Sequence, residues 1–275
     1  MSKERLDAEL VKRGFFDARS RAASEIMSGK VLVNGKKCEK PGTRISADAK
    51  INLLAPANPY VSRGGLKLAG AYREFGFFLE GKVVIDIGAS TGGFTHFALE
   101  HGASRIYAVD VGYGQLEWQL RNNPAVVNME RTNARYLLPE DLEELPDLAL
   151  VDVSFISLEK IIPVLAKLEA GEMVLLVKPQ FEAGKEEVGK KGVVRDVQVH
   201  REVLRRIIAF GREQGYRLKG AVPSPLPGPQ GNVEFFVYLE RGKENDAVEP
   251  EEAVEQAVRK AGNLVREAAG EERQE

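Results

Sequence analysis

Short apolar segments alternate with helix-length segments along most of the sequence, from about residue 82 onward. Four apolar segments carry few polar residues, and they are 83–87, 105–109, 148–153 and 173–177. Strands that are buried on both faces of a sheet have this composition. Intervening segments such as 156–168 and 199–214 are long enough for helices. The alternation predicts an α/β fold, a Rossmann-like doubly wound domain with a mostly parallel sheet.

Two further apolar segments lie close together near the end of the sequence, with no helix-length segment between them. They are 217–222 and 233–239, joined by the proline-rich connector 223–229. Such neighbours pair antiparallel, so we expect an antiparallel terminal strand in the sheet. Segment 250–269 predicts a packed amphipathic helix, because apolar residues recur at helical spacing. These residues are Ala253, Val254, Ala257, Val258, Ala261, Leu264 and Val265.

The beginning of the sequence predicts a separate small α+β domain. Leu6, Leu10 and Val11 share one helical face, and 18–27 predicts a second helix that stops at Gly29. An apolar triplet, 31–33, precedes the tight-turn dipeptide Asn34-Gly35, and 45–54 is expected to be one more extended stretch. Two prolines within 55–59 interrupt the periodicity. We therefore predict domains at 1–57 and 63–275 with a linker at 58–62.

The charges are distributed unevenly along the chain. Residues 1–55 carry 12 Lys and Arg against 7 Asp and Glu, whereas 243–275 carry 5 against 10. A basic first domain suggests a polyanionic partner, although an ordinary solvated surface would have the same charge. The acidic outer face of the last helix is expected to aid solubility.

Several classes of protein are disfavoured by the composition. No apolar run approaches the roughly 20 residues that a membrane-spanning helix needs, and the N-terminus lacks the apolar core of a secretory signal. A single cysteine, Cys38, cannot form an internal disulfide. We therefore expect a cytoplasmic protein that does not engage membranes. Its three histidines and Cys38 lack metal-ligand spacing, so no metal is predicted; the oligomeric state is left open.

A glycine-rich segment follows the first strand of the large domain. Residues 83–94 read Val-Val-Ile-Asp-Ile-Gly-Ala-Ser-Thr-Gly-Gly-Phe, a strand, a turn and a helix start. Nucleotide-binding loops have this arrangement. However, Ser90 occupies the second glycine position of the dinucleotide fingerprint, and Asp86 would repel a pyrophosphate. S-adenosylmethionine fits better, because it has a ribose and an adenine but carries positive charge and no phosphate.

Asp110 is the expected ribose-binding residue. It follows the next predicted strand, 24 residues after Asp86. Acidic residues at this place in dinucleotide folds accept hydrogen bonds from ribose hydroxyls. A strand-end cap is the alternative role.

The first domain resembles the small RNA-binding domain of ribosomal protein S four, pseudouridine synthases and tyrosyl-tRNA synthetases. The resemblance rests on Arg5-Leu6-Asp7, on Ser20-Arg21-Ala22 and on the sequence Gly-Lys-Val-Leu-Val-Asn-Gly at 29–35. It implies a cationic surface on which Arg5, Arg19, Arg21 and Lys30 contact phosphates. Exposed helix charges without such a role are the alternative.

The glycine-rich loop and four further motifs resemble the TlyA (hemolysin A) family. The motifs are Ser-Arg-Gly-Gly-Leu-Lys-Leu at 62–68, Leu-Val-Asp-Val-Ser-Phe at 150–155, Val-Lys-Pro-Gln-Phe at 177–181 and Gly-Asn-Val-Glu-Phe at 231–235. That family joins an RNA-binding domain of this kind to an FtsJ-like methyltransferase. The resemblance implies S-adenosylmethionine-dependent methylation of the ribose 2'-oxygen of cytidine in 16S and/or 23S ribosomal RNA, on free RNA or in ribosomal subunits.

The same resemblance implies the site residues. The family's catalytic Lys-Asp-Lys-Glu tetrad carries over to Lys67, Asp152, Lys178 and Glu234. Its cofactor contacts carry over to Gly88, Gly92, Gly93, Phe94 and Asp110, to which the loop chemistry adds Asp86 and Ser90. Asn133 stands where such sites often have an aspartate near the adenine, and an amide can still bind a base edge. For Phe94, plain core packing is the alternative.

A ribose hydroxyl is a poor nucleophile, so methyl transfer requires alignment and removal of its proton. We expect Lys178 to be the base or the hydroxyl-positioning group, with Lys67 steering a phosphate or hydroxyl. Glu234 would orient a lysine, and Asp152 would hold either Lys178 or the cofactor's ammonium; the sequence leaves this choice open. Two other functions remain as alternatives. A non-catalytic RNA-binding protein would bind the cofactor without turnover, and a membrane-active hemolysin would need an apolar or strongly cationic helix.

Overall fold

The computed structural model forms two compact units, residues 1–59 and 60–275. It describes residues 3–16, 18–46, 48–54, 58–189, 191–242 and 245–271. The proline-containing segment 55–57, on which the predicted boundary depends, lies outside the described residues. The domain limits 1–57 and 63–275 therefore stay a prediction.

The first unit is a small α+β fold. Its elements are β1 (Lys3–Arg5), α1 (Leu6–Lys12), α2 (Arg19–Met27), β2 (Val31–Val33), β3 (Lys36–Cys38), β4 (Arg44–Ser46) and β5 (Ile51–Leu53). The predicted turn is confirmed, because Asn34 and Gly35 both have positive φ and join the antiparallel pair β2–β3. Leu6, Leu10 and Ile26 are fully buried in a common core.

One expectation for this unit is wrong. The segment 45–54 contains two strands rather than one, and they belong to different sheets: β4 pairs with β1, and β5 pairs with β2. The chain turns between them, where the Ala49 N–H donates to the Ser46 carbonyl. Strand β1 was not predicted, because three charged residues, Lys-Glu-Arg, have no apolar pattern.

The second unit contains a seven-stranded sheet with helices on both faces. Its elements are α3 (Arg63–Phe75), β6 (Val83–Ile87), α4 (Gly93–Glu100), β7 (Arg105–Val109), α5 (Trp118–Arg121), β8 (Val126–Met129), β9 (Leu148–Val151), α6 (Ile162–Lys167), β10 (Glu172–Val177), α7 (Pro179–Glu182), α8 (Val197–Glu213), β11 (Tyr216–Pro223), β12 (Phe235–Arg241) and α9 (Pro250–Glu271). The strand order is β11-β12-β10-β9-β6-β7-β8.

The predicted fold class is confirmed. Strands β6 to β10 pair in parallel, whereas β12 is antiparallel to both of its neighbours, β10 and β11. All residues of β6 and β9 are buried, because helices cover both faces of the sheet. One apolar core includes residues of α6, α8 and α9, and the other includes residues of α3 and α4.

The second unit differs from expectation in three places. Strand β8 was not predicted. The predicted strand 148–153 ends at Val151, which leaves Asp152 in the loop beyond it. In α9 the predicted packing holds as far as Ala261, but Leu264 and Val265 are 41% and 54% exposed.

Candidate active site

The loop that joins β6 to α4 is fixed to the ends of two other strands. Gly88 has φ of +88°, and a Cβ at this position would overlap with the backbone carbonyl oxygen of Asp152. Only glycine accommodates both the backbone conformation and the close approach. The Ser90 N–H donates to Oδ2 of Asp110 (2.8 Å), which follows β7. The loop, Asp110 and Asp152 therefore form one rigid group at the carboxyl edge of the sheet.

Asp86 is a fully buried carboxyl group in β6. The Thr95 hydroxyl of α4 donates to its Oδ2 (2.6 Å), whereas Oδ1 is buried and has no hydrogen-bond partner among the described residues. Burial raises the pKa of Asp86 to about 7, with the Thr95 hydrogen bond opposing the rise and the Asp152 charge adding to it. A carboxyl with a free oxygen in such a place is suited to a cationic partner.

Residues of this loop line two cavities. The first, of about 330 Å³, is lined by Ser62, Arg63, Gly64, Lys67, Asp86, Gly88, Ala89, Ser90, Thr91, Gly93, Phe94, Asp152, Pro227, Gly228 and Pro229. The second, of about 550 Å³, includes Asp110, Asn133, Ser154 and Phe155 in its lining. Gly88, Ser90 and Asp152 line both cavities. A ligand that crosses the loop at these residues would reach both.

The four residues of the predicted tetrad form two ion pairs. Lys67 lies in α3, and its Nζ donates to Oε2 of Glu234 (2.7 Å). Glu234 is the residue immediately before β12. Lys178 Nζ, immediately after β10, lies 2.6 Å from Asp152 Oδ1, immediately after β9. The side chains of both lysines are largely buried, and that of Glu234 has no exposed surface. Because Lys67 and Asp152 line the same cavity, both pairs belong to one site.

The ammonium of Lys178 is held in place by two groups. Besides the contact with Asp152, its Nζ donates to the Ser154 hydroxyl (2.9 Å). A lysine ammonium has three N–H donors; the Ser154 hydroxyl takes one and the Asp152 carboxylate can engage a second, so at least one remains for a substrate.

The predicted cofactor residues differ in their surroundings. Asp110 and Asn133 both line the second cavity. At Gly92 an added Cβ would overlap with Leu120 rather than enter a cavity, and at Gly93 it would overlap with Ser62 Oγ. Phe94 is 3% exposed and packs in the core beside Phe236, with ring centroids 6.1 Å apart, although it also reaches the first cavity.

Three polar residues of the site were not predicted. Ser154 and Gln180 lie inside the motifs 150–155 and 177–181, whose presence marked the segments but gave these side chains no role. Gln180 Nε2 donates to Glu234 Oε1 (3.2 Å). Thr95, which holds Asp86, lies three residues beyond Gly92, and no feature of the sequence singles it out.

An exposed aromatic residue also lies at the second cavity. Phe155 is 89% exposed and has a left-handed backbone, with φ of +63°. Its ring centroid is 4.7 Å from that of Phe181. A bulky residue in this conformation is strained, and such strain is most often found at functional sites.

The cationic residues predicted in the first unit are mostly paired; Arg5, Arg19 and Arg21 are exposed, and Lys30 is half-buried. Arg5 and Arg19 both contact the Asp7 carboxylate, which keeps the pKa of Asp7 well below its usual range, chiefly through the Arg5 hydrogen bonds. Lys30 lies 3.0 Å from a Glu25 oxygen. Arg21 is exposed and makes no ion pair within the described part of this unit.

No group of three or more His, Cys, Asp and Glu side chains suited to a metal ion occurs in the described ranges. Within the same ranges, no helix is both long enough and apolar enough to cross a bilayer.

Comparison with known families agrees with this geometry. Residues 60–241 match the FtsJ-like methyltransferase family, and residues 4–51 match the S4 domain. TlyA of Mycobacterium tuberculosis is 44% identical over 260 residues, which cover 94% of this chain and 96% of that protein. The chain belongs to the TlyA family.

Two other relatives also match nearly the whole chain. YqxC of Bacillus subtilis is 48% identical over 271 residues, 96% of each chain. The solved structure of a Streptococcus thermophilus protein is 42% identical and superposes with a TM-score of 0.75, covering 98% of this chain and 99% of that chain. This chain thus consists of an S4 domain followed by an FtsJ-like methyltransferase domain.

Proposed function

We propose that this protein transfers a methyl group from S-adenosylmethionine to the ribose 2'-oxygen of cytidine in 16S and/or 23S ribosomal RNA. One observation carries the proposal: the Lys67–Glu234 and Lys178–Asp152 ion pairs meet at a cavity that the glycine-rich loop also lines. The name of the M. tuberculosis relative, 16S/23S rRNA (cytidine-2'-O)-methyltransferase TlyA, supports the substrate.

The residues around the loop fit S-adenosylmethionine, which supplies a sulfonium-bound methyl group when bound. Asp86 Oδ1 is buried without a partner in the described chain, and it suits the cofactor's ammonium. Asp110 already accepts from the N–H groups of Ser90 and Gly112, but each carboxylate oxygen can accept a further bond from a ribose hydroxyl. Asn133 would bind the adenine edge from the second cavity.

The acceptor hydroxyl would bind at the ion pairs. The remaining N–H of Lys178 would donate to the 2'-oxygen and stabilise the partial negative charge on it while the methyl group is transferred, and the hydroxyl proton would pass to solvent water. An ammonium that contacts Asp152 and Ser154 favours this positioning role over that of a base. Lys67, held by Glu234 at the first cavity, would bind the neighbouring phosphate.

RNA binding would be shared between the units. The S4 domain would hold the RNA backbone through Arg5, Arg19, Arg21 and Lys30, because exposed Arg and Lys release counterions from phosphates. In the catalytic unit, the exposed ring of Phe155 offers a stacking surface for an unpaired base.

The test is methyl transfer to ribosomal particles. Purified protein is incubated with methyl-labelled S-adenosylmethionine and with free rRNA, separate subunits or whole ribosomes from cells that lack this gene. Labelled positions are then mapped as 2'-O-methyl nucleotides. We expect label on cytidine ribose, and a loss of about 100-fold or more in Lys178→Met, since that substitution removes the group that contacts the reacting oxygen.

Lys167→Met is the matched control, because Lys167 is exposed at the end of α6 and lines neither cavity. It should methylate like the wild type. Absence of label from all wild-type reactions, or undiminished label with Lys178→Met, would refute the proposal. Cofactor binding without any transfer would instead support the non-catalytic RNA-binding alternative.

A further inference from the structure

Glu234 is held on both sides of its carboxylate. Lys67 donates to Oε2 (2.7 Å), and Gln180 donates from Nε2 to Oε1 (3.2 Å). The Glu234 side chain has no exposed surface, and Gly228 lies so close that a Cβ there would overlap with the carboxylate. Water therefore cannot take the place of the Gln180 amide beside Glu234 unless the loop that contains Gly228 rearranges.

Gln180 connects the two ion pairs of the site. It lies two residues after Lys178, in the short helix α7. That helix is anchored at its other end, because Glu182 accepts hydrogen bonds from the Ser157 hydroxyl (2.7 Å) and the Leu158 N–H (2.8 Å). The backbone that carries Lys178 thus also carries the group that binds Glu234.

The chemistry of Gln180 indicates more than packing. Its Oε1 is buried and has no hydrogen-bond partner in the described chain. An unpaired buried carbonyl oxygen is unfavourable, and a methionine or leucine of similar size would avoid it. The amide is explained by its other end, where Nε2 gives Glu234 a second partner. A neutral donor does this without adding a third charge to the Lys67–Glu234 pair.

We propose that Gln180 is a positioning residue: it fixes the Glu234 carboxylate, and through it the Lys67 ammonium, at a set place relative to Lys178. This inference rests on the proposed methyl transfer for its kinetic test. It makes Gln180 a link between the two halves of the site, although it does not itself contact the reacting atoms.

The test uses the full-length protein with Gln180→Glu and Gln180→Met. In the first variant, a protonated carboxyl at position 180 would still donate to Glu234, whereas an ionised carboxylate there would repel it. The rate constant kcat of Gln180→Glu should therefore be close to the wild-type value at low pH and fall about 10-fold or more as the pH rises, a change of shape in the pH profile. Gln180→Met should lower kcat at every pH, because it has no donor.

The matched control is Gln256→Glu. Gln256 also donates to a glutamate, Glu252 (2.9 Å), but on the exposed face of α9. Its pH profile should equal that of the wild type. In all variants the Kd for S-adenosylmethionine should stay close to the wild-type value, and melting curves at each assay pH should show that the protein is folded at the assay temperature. Parallel pH profiles for Gln180→Glu and the wild type would overturn the inference, as would a loss of activity explained entirely by weaker cofactor binding or by unfolding.

A second measurement does not depend on turnover. The rate at which Lys67 is acetylated by an amine-directed reagent is followed by mass spectrometry. In Gln180→Met the loosened Glu234 should expose Lys67, so its labelling rate should rise severalfold and should stay unchanged in Gln256→Glu. An unchanged Lys67 labelling rate in Gln180→Met would overturn the inference, whether or not the wild type is active. An inactive wild type in the methyl-transfer assay would instead refute only the proposed function.

Discussion

Asp86 shows at the scale of one residue how this protein retains an unfavourable group at its site. The carboxyl is completely buried, Thr95 satisfies one oxygen, and the other has no partner among the described residues. Its pKa of about 7 means that near neutral pH it is only partly ionised without a ligand. A bound cation favours the ionised form. Binding and deprotonation are therefore linked.

The first prediction is that S-adenosylmethionine binding releases a proton from Asp86 below about pH 7. Affinity should rise between pH 6 and pH 8, because the neutral carboxyl predominates at the lower pH and cannot pair with the ammonium. Calorimetry at pH 6.5 in two buffers of different ionisation enthalpy measures the released proton. An observed enthalpy that is the same in both buffers would contradict the prediction.

The second prediction concerns Asp86→Asn. Burial raises the pKa of Asp86 above its value in the unfolded chain, so this group lowers the free energy of unfolding as the pH rises from about 4 to about 7. Without cofactor, the variant should have a higher free energy of unfolding than the wild type, and this difference should grow between pH 5 and pH 8. The growth should be on the order of 2 kcal/mol. Its affinity for S-adenosylmethionine should fall. Melting curves at both pH values, with and without cofactor, test both parts.

At the scale of elements, the glycine-rich loop depends on close contact with a neighbouring strand end. We predict that Gly88→Ala destabilises the protein and abolishes cofactor binding, because the new Cβ would overlap with the Asp152 carbonyl oxygen. Gly81→Ala is the control: Gly81 also has positive φ, +73°, but nothing lies within 4 Å of a Cβ there. That control should cost about 1 kcal/mol, the strain of the conformation alone, and should leave cofactor binding intact. Equal effects of the two substitutions in chemical denaturation and calorimetry would show that the contact is unimportant.

Much of the element pattern could be predicted from the sequence, and the failures have physical causes. The strands β6, β7 and β10 were predicted because continuous apolar runs reflect burial on both faces. The sequence does not predict strand β8, because an edge strand of four residues that includes the polar Asn128 has too little apolar periodicity. Segment 45–54 looked like one strand because local propensity does not show which sheet a strand joins.

The sequence predicts only part of the candidate site. The motifs gave the four charged residues and the side of the sheet where they meet. They left open whether Asp152 would hold Lys178 or the cofactor's ammonium and which lysine Glu234 would orient, since pairing depends on the order of strands in the sheet. The roles of Ser154, Gln180 and Thr95 also depend on three-dimensional contacts, which single residues of these types do not signal.

At the scale of the whole molecule, the proposed function gives the basic S4 domain a part in holding the RNA backbone, while methyl transfer takes place in the second unit. We predict that Arg21→Ala weakens binding to rRNA and reduces the slope of log K against log salt by about 1, the loss of one phosphate contact. Arg21 is the best test among the four predicted cations, because it makes no ion pair in the described part of its unit whose loss would disturb the fold.

Cofactor affinity should not change in Arg21→Ala, since the cavities belong to the second unit. Arg259→Ala, on the exposed surface of α9, serves as the charge-matched control and should retain the wild-type slope. Filter binding over a range of salt concentrations measures both variants. Identical slopes for Arg21→Ala and Arg259→Ala would remove Arg21 from the RNA-binding surface.

The ion pair between Lys67 and Glu234 joins residues 167 positions apart, from the first helix and the last strand region of the catalytic unit. Strand β12 lies between β10 and β11 in the sheet, so the sheet is complete only after this late segment of the chain has been synthesised. During translation the ribosome must therefore synthesise the chain through β12 before the Lys67–Glu234 pair can form. A chain that terminates before Glu234 would keep the S4 unit but would lack the Lys67–Glu234 pair of the candidate site.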